Sequence, residues 1–172
     1  MRRFYLPLFA TFLFIAESTI IDIFPPERFF KDFIYVPRFS LILFIFITVY
    51  RDKLIGIIYA AIFGLLYDVV YTEVIGIYMF SYPVAAYLVF KLMKFLQSNL
   101  VIVSVICLFM ISFIEYYVYG LYALITSTQM SINDFSMNRL YPTIVLNSIF
   151  LVIFSYPLKR YLTKVSEDGR KG

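Results

Sequence analysis

The sequence contains no histidine and no tryptophan, and its only cysteine is Cys107. A metal site built from histidine and cysteine is therefore excluded, and so is a disulfide within the chain. Cys107 lies in an apolar run, where a free cysteine most often packs as a small hydrophobic side chain. The sequence also lacks a phosphate-cradling glycine loop and a Ser/His/Asp set. We therefore expect neither enzyme activity nor a cofactor.

Charged residues are scarce as well: they make up 15% of the 172 residues, whereas 62% of the residues are hydrophobic. An average soluble domain has about 25% charged and roughly 45–50% apolar residues. A soluble fold of this length would leave too much apolar surface in water, because small domains expose a large share of their surface. The composition predicts an integral membrane protein, and the net charge of +4 gives no reason to expect nucleic-acid binding.

The sequence contains several long apolar runs. A helix needs about 20 apolar residues to cross the hydrocarbon core of a membrane. We predict one all-α membrane domain over residues 1–172, a bundle of six spans at 4–24, 37–50, 54–68, 75–93, 100–126 and 141–158. The first run resembles a signal peptide but lacks a convincing cleavage site, so we interpret it as an uncleaved span.

The second and third runs are short, and two arrangements fit them. They form either two crossings or a re-entrant hairpin that does not fully cross. One long buried helix is disfavoured, because Arg51, Asp52 and Lys53 would lie at its centre. Both hairpin arrangements leave the orientation of the later spans unchanged.

The distribution of lysine and arginine predicts the orientation. With both termini in the cytoplasm, eleven basic residues fall on the inner side: Arg2, Arg3, Arg51, Lys53, Lys91, Lys94, Lys159, Arg160, Lys164, Arg170 and Lys171. Four fall on the outer side: Arg28, Lys31, Arg38 and Arg139. This split follows the positive-inside rule, and the tyrosines at the ends of the runs suit interfacial belts.

Two carboxylates, Asp68 and Glu73, interrupt a stretch that otherwise avoids charge. On the six-span map they fall on the short outer turn between spans three and four, in contact with bulk water. We interpret them as the outer cap of a helical hairpin, with Asp68 additionally directed at a partner protein or at Arg38. Arg38 follows Pro37 at the outer mouth of span two, and the hairpin of spans two and three predicts a contact between Arg38 and Asp68.

Small residues recur every four positions in the third span, at Gly56, Ala60 and Gly64, and lead to Asp68 on the same helix face. Such spacing lets another helix approach closely, which is how membrane helices associate without a hydrophobic driving force. The stripe serves either packing within the bundle of this chain or docking to another membrane protein.

Three polar residues lie well inside apolar runs: Glu17, Glu115 and Asn147. An ionisable group at such depth usually faces the bundle interior or a cavity. No lysine or arginine is predicted at the depth of Glu115, so we expect it to be protonated or hydrogen-bonded to tyrosines or Asn147. It then acts either as a proton or substrate site or as a clamp that fixes helix register. Glu17, nearer the outer interface, is expected to be half-solvated.

Four segments in order along the chain resemble one known family. They are "VPRF" (36–39), "GLLYDVVYTEVIGIYMF" (64–80), "IEYYVYG" (114–120) and "NRLYPTIVLN" (138–147). They are similar to segments of the bacterial rod shape-determining protein MreD family, and the resemblance covers nearly the whole chain. The family pattern falls on nine positions: Pro37, Arg38, Gly64, Asp68, Gly76, Glu115, Arg139, Pro142 and Asn147.

The resemblance implies a non-enzymatic scaffold of the cell-elongation machinery in the bacterial cytoplasmic membrane, needed for cell shape and lateral peptidoglycan synthesis. Relatives work with the bitopic protein MreC, through it with the actin-like MreB filament, and alongside the glycosyltransferase RodA and its class B penicillin-binding protein partner. The matching residues are then expected to dock partners or fix the fold.

The family's fold is similar to the six-helix substrate-binding subunits of energy-coupling-factor vitamin transporters. A shared fold does not transfer substrate binding. The first span of this chain also lacks an Ala-x-x-x-Ala stripe, which puts coupling to a transporter module in doubt. The alternative function is a small-molecule-binding or transporter subunit with a site around Glu115, to which Glu17 and Asn147 would contribute.

Overall fold

The computed structural model describes residues 5–23, 33–72, 74–96, 99–126 and 131–170, and within these ranges every regular element is helical. The six long helices are α1 (Tyr5–Ile23), α2 (Phe39–Tyr50), α3 (Lys53–Tyr71), α4 (Ile77–Met93), α5 (Leu100–Thr126) and α6 (Tyr141–Arg170). A short helical turn, Ile132–Phe135, and a π-helical segment, Ser136–Leu140, lead directly into α6. The all-α prediction is confirmed.

The short second run forms the central helix of the bundle. Every residue of α2 from Phe39 to Thr48 is buried, and α2 contacts each of the other five long helices. A helix that is apolar on all sides must be surrounded in this way. At about 1.5 Å per residue, its twelve residues extend only about 18 Å, which is less than the roughly 30 Å hydrocarbon core.

The hairpin between α2 and α3 is produced by Asp52. Its carboxylate accepts hydrogen bonds from the backbone N–H groups of Leu54 and Ile55, at 2.8 and 3.0 Å, and this N-cap starts α3. The charged triplet therefore lies in the turn between two antiparallel helices, as both hairpin arrangements require.

The stripe of small residues packs inside the bundle. A Cβ atom on Gly56 would overlap Thr48 of α2, and one on Gly64 would overlap the backbone carbonyl of Tyr78 in α4. Ala60 is fully buried between them. Of the two interpretations of this stripe, packing within the chain is therefore the one that the structure supports.

Three described helical segments are long and apolar enough to cross a membrane: Lys53–Tyr71, Leu100–Ile125 and Ile132–Glu167. The apolar parts of α1, α2 and α4 are shorter. Large apolar side chains point outward at every fourth position of α5, at Val101, Val105, Phe109 and Phe113, as lipid contact requires. The chain is thus a helical membrane protein, and the count of six crossings stays a prediction.

The two ends of the bundle differ in charge. At one end, called here the Arg51 end, Lys53 and Lys94 both lie over the ring of Phe90, and Lys159 lies over Tyr50. The opposite end, the Arg38 end, contains Arg38, the end of α3 and the start of α4. Glu73, and the outer basic residues Arg28 and Lys31, lie outside the described residues.

Candidate functional site

Four charged side chains and one amide near the Arg38 end are almost completely buried: Glu17, Arg38, Asp68, Glu115 and Asn147 are 0–1% exposed. Burying a charge is costly unless it is paired and hydrogen-bonded. Each of these groups should therefore have partners that repay its removal from water, and each does.

Arg38 is the most heavily bonded side chain of the group. Its Nε and Nη2 atoms donate to Glu115 Oε1 at 2.9 and 2.6 Å. Nη1 donates to the hydroxyl of Tyr82 at 3.0 Å, and Nη2 also donates to that of Tyr78 at 2.8 Å. The guanidinium carbon lies 4.6 Å from the centre of the Tyr78 ring, a cation–π contact. The guanidinium is thereby held rigidly between α4 and α5.

Glu115 also binds a second arginine. Its Oε2 accepts a hydrogen bond from Arg139 Nε at 3.2 Å, and the Arg139 side chain is 30% exposed. The expectation that no basic residue reaches Glu115 was wrong, because Arg38 precedes its helix in sequence but folds into the bundle, and Arg139 reaches in from its edge. One carboxylate thus lies between two guanidinium groups.

Pro142 leaves a backbone acceptor free next to Arg139. Proline lacks an N–H, so the carbonyl of Asn138, four residues earlier, has no helical donor there. That carbonyl instead accepts a hydrogen bond from the backbone N–H of Ile34, at 2.6 Å. Arg139 lies in the π-helical segment just before this proline, and such segments often occur at functional sites.

Asn147 and Thr143 hold the extended chain that leads into α2. The backbone N–H of Arg38 donates to Asn147 Oδ1 at 2.8 Å, and Asn147 Nδ2 donates to the carbonyl of Val36 at 2.9 Å. The N–H of Val36 donates to the hydroxyl of Thr143 at 3.0 Å. Pro37 lies between these two anchored residues. α6 therefore sets the position from which Arg38 enters the bundle.

Asp68 is a helix cap and does not contact Arg38. Its carboxylate accepts hydrogen bonds from the backbone N–H groups of Gly76, Tyr78 and Met79, at 2.8, 2.8 and 2.9 Å. The predicted contact of Asp68 with Arg38, and its exposure to bulk water, were both wrong. The first N–H groups of a helix have no partner within it, and the carboxylate of Asp68 accepts hydrogen bonds from those at the start of α4. Gly76 permits the turn because its φ is +114°.

Glu17 plays the same part for α2. It accepts hydrogen bonds from the backbone N–H of Ser40, at 2.6 Å, and from the hydroxyl of Tyr67, at 2.9 Å. It is fully buried, so the prediction of a half-solvated side chain was wrong. Two of the helices that begin at this end, α2 and α4, are each capped by a carboxylate from a neighbouring helix.

A cavity of about 450 Å³ lies at the Arg38 end. The side chains of Arg38 and Arg139 line it together with five tyrosines, and no acidic residue is among the described residues of its wall. A second hollow of about 550 Å³ lies between α1 and α6 and has apolar walls, which include Leu8, Phe12 and Phe154. The first is a tyrosine-lined cavity that two arginines make partly polar, and the second is a groove in the apolar exterior of the bundle.

Sequence reasoning missed five partners in this site. Ser40 and Tyr67 bond to Glu17, Tyr78 and Tyr82 bond to Arg38, and the hydroxyl of Thr143 accepts a hydrogen bond from the backbone N–H of Val36. A signal was present for two of them, because Tyr78 and Tyr82 lie four residues apart and therefore share one helix face. We interpreted the tyrosines as interfacial belts instead.

The chain matches the family described as rod shape-determining protein MreD over residues 2–165. It is also similar to the rod shape-determining protein MreD of Bacillus subtilis (strain 168), with 33% identity over 170 residues that cover 99% of each chain. No solved structure matches this chain.

Proposed function

This chain belongs to the MreD family of rod shape-determining proteins, and on that premise we propose that it is a non-enzymatic scaffold of the bacterial cell-elongation complex. In this role it supports lateral peptidoglycan synthesis by docking other proteins in the cytoplasmic membrane. One observation carries the proposal beyond the family: the buried carboxylates Glu17, Asp68 and Glu115 all hold helices in place. A site built for acid–base catalysis would leave such a group free to reach a substrate.

The proposed partners are MreC as the direct contact, and the MreB filament, RodA and a class B penicillin-binding protein in the same assembly. The outward faces of the helices support docking within the bilayer, since they carry large apolar side chains such as Phe109 and Val105. We also propose six crossings with both termini in the cytoplasm. The basic side chains at the Arg51 end support this orientation.

Depletion in a rod-shaped host tests the scaffold proposal. We expect depleted cells to become round and a plasmid copy of the wild-type gene to restore rods. Tagged MreC should co-purify with the wild-type protein from mild detergent. Normal rods after complete depletion would contradict the proposal, and so would a host whose wall synthesis along the cylinder is unchanged.

A second candidate function is a small-molecule-binding or transporter subunit. The polar cavity lined by Arg38 and Arg139, directly beside Glu115, favours it. With this second function we also propose that the fold is similar to that of the substrate-binding subunits of vitamin transporters. Loss of vitamin uptake in depleted cells of normal shape would favour this function over the scaffold.

A further inference from the structure

We propose that the cavity at the Arg38 end is an anion site that takes a phosphate group, carried either by a lipid headgroup or by a soluble phosphate ester. This inference goes beyond the scaffold function and does not depend on it. It rests on the charge, the free donors and the size of the cavity.

The charge balance of the site is incomplete. Arg38 and Arg139 both line the cavity, and among the described residues Glu115 is the only carboxylate that either one contacts. Asp68 is bonded to the N–H groups that begin α4, and Glu17 to Ser40 and Tyr67. Among the described residues, two guanidinium groups therefore share one carboxylate, which is an excess of one positive charge. In a partly buried cavity, such an excess attracts an anion more strongly than it would in bulk water.

Arg139 has hydrogen-bond donors without an acceptor among the described residues, and its side chain lines the cavity. Within the described part of the chain, it contacts Glu115 only through Nε, and neither Nη atom has an acceptor there. A guanidinium fork fits two oxygen atoms of a phosphate or carboxylate at once. The hydroxyl of Tyr78 accepts a hydrogen bond from Arg38, so its own proton is available to a ligand in the cavity.

The arrangement of these donors favours phosphate. Arg38 reaches the cavity from the start of α2, Arg139 from the π-helical segment and Tyr78 from α4. A tetrahedral phosphate presents oxygens in several directions, whereas a carboxylate presents two in one plane. Donors of Arg139 and Tyr78 that converge from two elements, beside the positive charge of Arg38, therefore match phosphate better.

The cavity is also larger than a bare ion needs. About 450 Å³ lies within the roughly 300–1,000 Å³ of ordinary ligand pockets. Its tyrosine-rich walls offer ring faces to the uncharged part of a ligand, such as glycerol or a sugar. The ligand class is therefore a phosphate ester with a small polar body, free or attached to lipid.

Two binding measurements on the full-length protein in maltoside micelles distinguish the two sources. In the soluble arm, calorimetric titration compares glycerol 3-phosphate with glycerol. In the lipid arm, native mass spectrometry compares micelles doped with phosphatidic acid and with diacylglycerol. We expect saturable binding of the phosphorylated member of at least one pair, and none of its uncharged counterpart.

Two variants locate the binding. Arg139→Gln should weaken it at least tenfold, because this arginine supplies the free donors while Arg38 still pairs with Glu115. Arg160→Gln, a matched loss of charge at an exposed position of α6, should leave it unchanged. If Arg139→Gln does not fold, as judged by thermal unfolding, Arg139→Lys decides: it should weaken binding several-fold, because ammonium lacks the fork, and unchanged affinity would overturn the proposal.

Three other results would overturn it. One is the absence of binding in both arms, and another is equal weakening by Arg139→Gln and Arg160→Gln, which indicates general surface attraction. The third is tighter binding of hexaglutamate than of either phosphate, which would assign the cavity to an acidic peptide. None of these results changes the outcome of the depletion experiment, so the failures of the two proposals are distinguishable.

Discussion

Glu115 joins α5 to two segments that are distant from it in sequence. It accepts hydrogen bonds from Arg38, which precedes α2, and from Arg139, which precedes α6, while its own backbone belongs to α5. Removing one partner of a buried ion pair leaves an uncompensated charge, whereas replacing both by apolar groups can be nearly neutral. The site should therefore respond very differently to single and double substitution.

We predict that Glu115→Gln lowers stability by about 3–5 kcal/mol, because two guanidinium groups then face each other without a carboxylate. The double variant Arg38→Met, Glu115→Met should recover part of that loss. Thermal unfolding in detergent, followed by size-exclusion of the surviving protein, measures both. Glu167→Gln, at an exposed position of α6, is the matched control, and an unfolding temperature of Glu115→Gln equal to that of this control would contradict the prediction.

The carboxylate of Asp68 accepts hydrogen bonds from backbone N–H groups. We therefore expect its removal to destabilise mainly the start of α4. Asp68→Ala removes the acceptor of three N–H groups at the start of α4. We predict a loss of about 2 kcal/mol or more, since capping and buried hydrogen bonds each contribute on this scale. Hydrogen exchange at Gly76, Tyr78 and Met79 should accelerate in this variant. Unchanged protection at all three amides would show that water or another group replaces the carboxylate.

At the scale of the helix, close packing of α3 is the feature that sequence spacing revealed. Gly56 meets α2 near one end of α3, and Gly64 meets α4 nearer the other. Because the neighbouring atoms at Gly64 are backbone, they cannot move aside as a flexible side chain would. α3 and α4 therefore have to separate if Gly64 gains a side chain.

We predict that Gly64→Ala destabilises the bundle by about 1–3 kcal/mol through overpacking. Gly120 provides the matched control, since a Cβ atom there meets nothing within 4 Å. Gly120→Ala should be neutral or stabilising by up to about 1 kcal/mol, because alanine is the better helix former. Equal unfolding temperatures for the two variants would contradict the close approach of α3 to α4.

The capping of α2 and α4 is a second property of whole elements. In a membrane, a backbone group without a partner costs several kcal/mol, since no water replaces the missing bond. Both helices start inside the bundle, and Glu17 and Asp68 supply the acceptors that solvent supplies elsewhere. This explains why acidic residues persist in runs that otherwise exclude charge.

At the scale of the whole molecule, the question is which end of the bundle faces the cell interior. Ile75 is exposed near the Arg38 end, and Phe95 is exposed near the Arg51 end. The native Cys107 is fully buried, so it contributes little background to thiol labelling. A cysteine placed at either exposed position can therefore be labelled with little background from Cys107.

We predict that Ile75→Cys reacts with a membrane-impermeant maleimide in intact spheroplasts, whereas Phe95→Cys reacts only after permeabilisation. The physical reason is the excess of lysine and arginine at the Arg51 end, which retains that end in the cytoplasm. The unsubstituted protein is the control for Cys107. The reverse pattern would overturn the orientation and place the Arg38 cavity on the cytoplasmic side.

Several features could be predicted from the sequence because they depend on local composition and spacing. Apolar run length predicts helices in a membrane, and the four-residue spacing of Gly56, Ala60 and Gly64 predicts a closely packed face. The depth of Glu115 and Asn147 in their runs likewise predicts an inward orientation. Each of these properties depends only on the residues of a single helix and on the medium that surrounds it.

The partners of the buried groups were decided only by the tertiary structure. Arg38 and Asp68 were expected to meet because both lie near the same end of the α2–α3 hairpin, but residues far apart in sequence intervene. Glu115 comes from α5 to pair with Arg38, and the first N–H groups of α4 satisfy Asp68. A one-dimensional pattern gives the depth of a charged residue but not its angular position in the bundle. That position depends on how the other five long helices pack around α2, and it determines which charges meet.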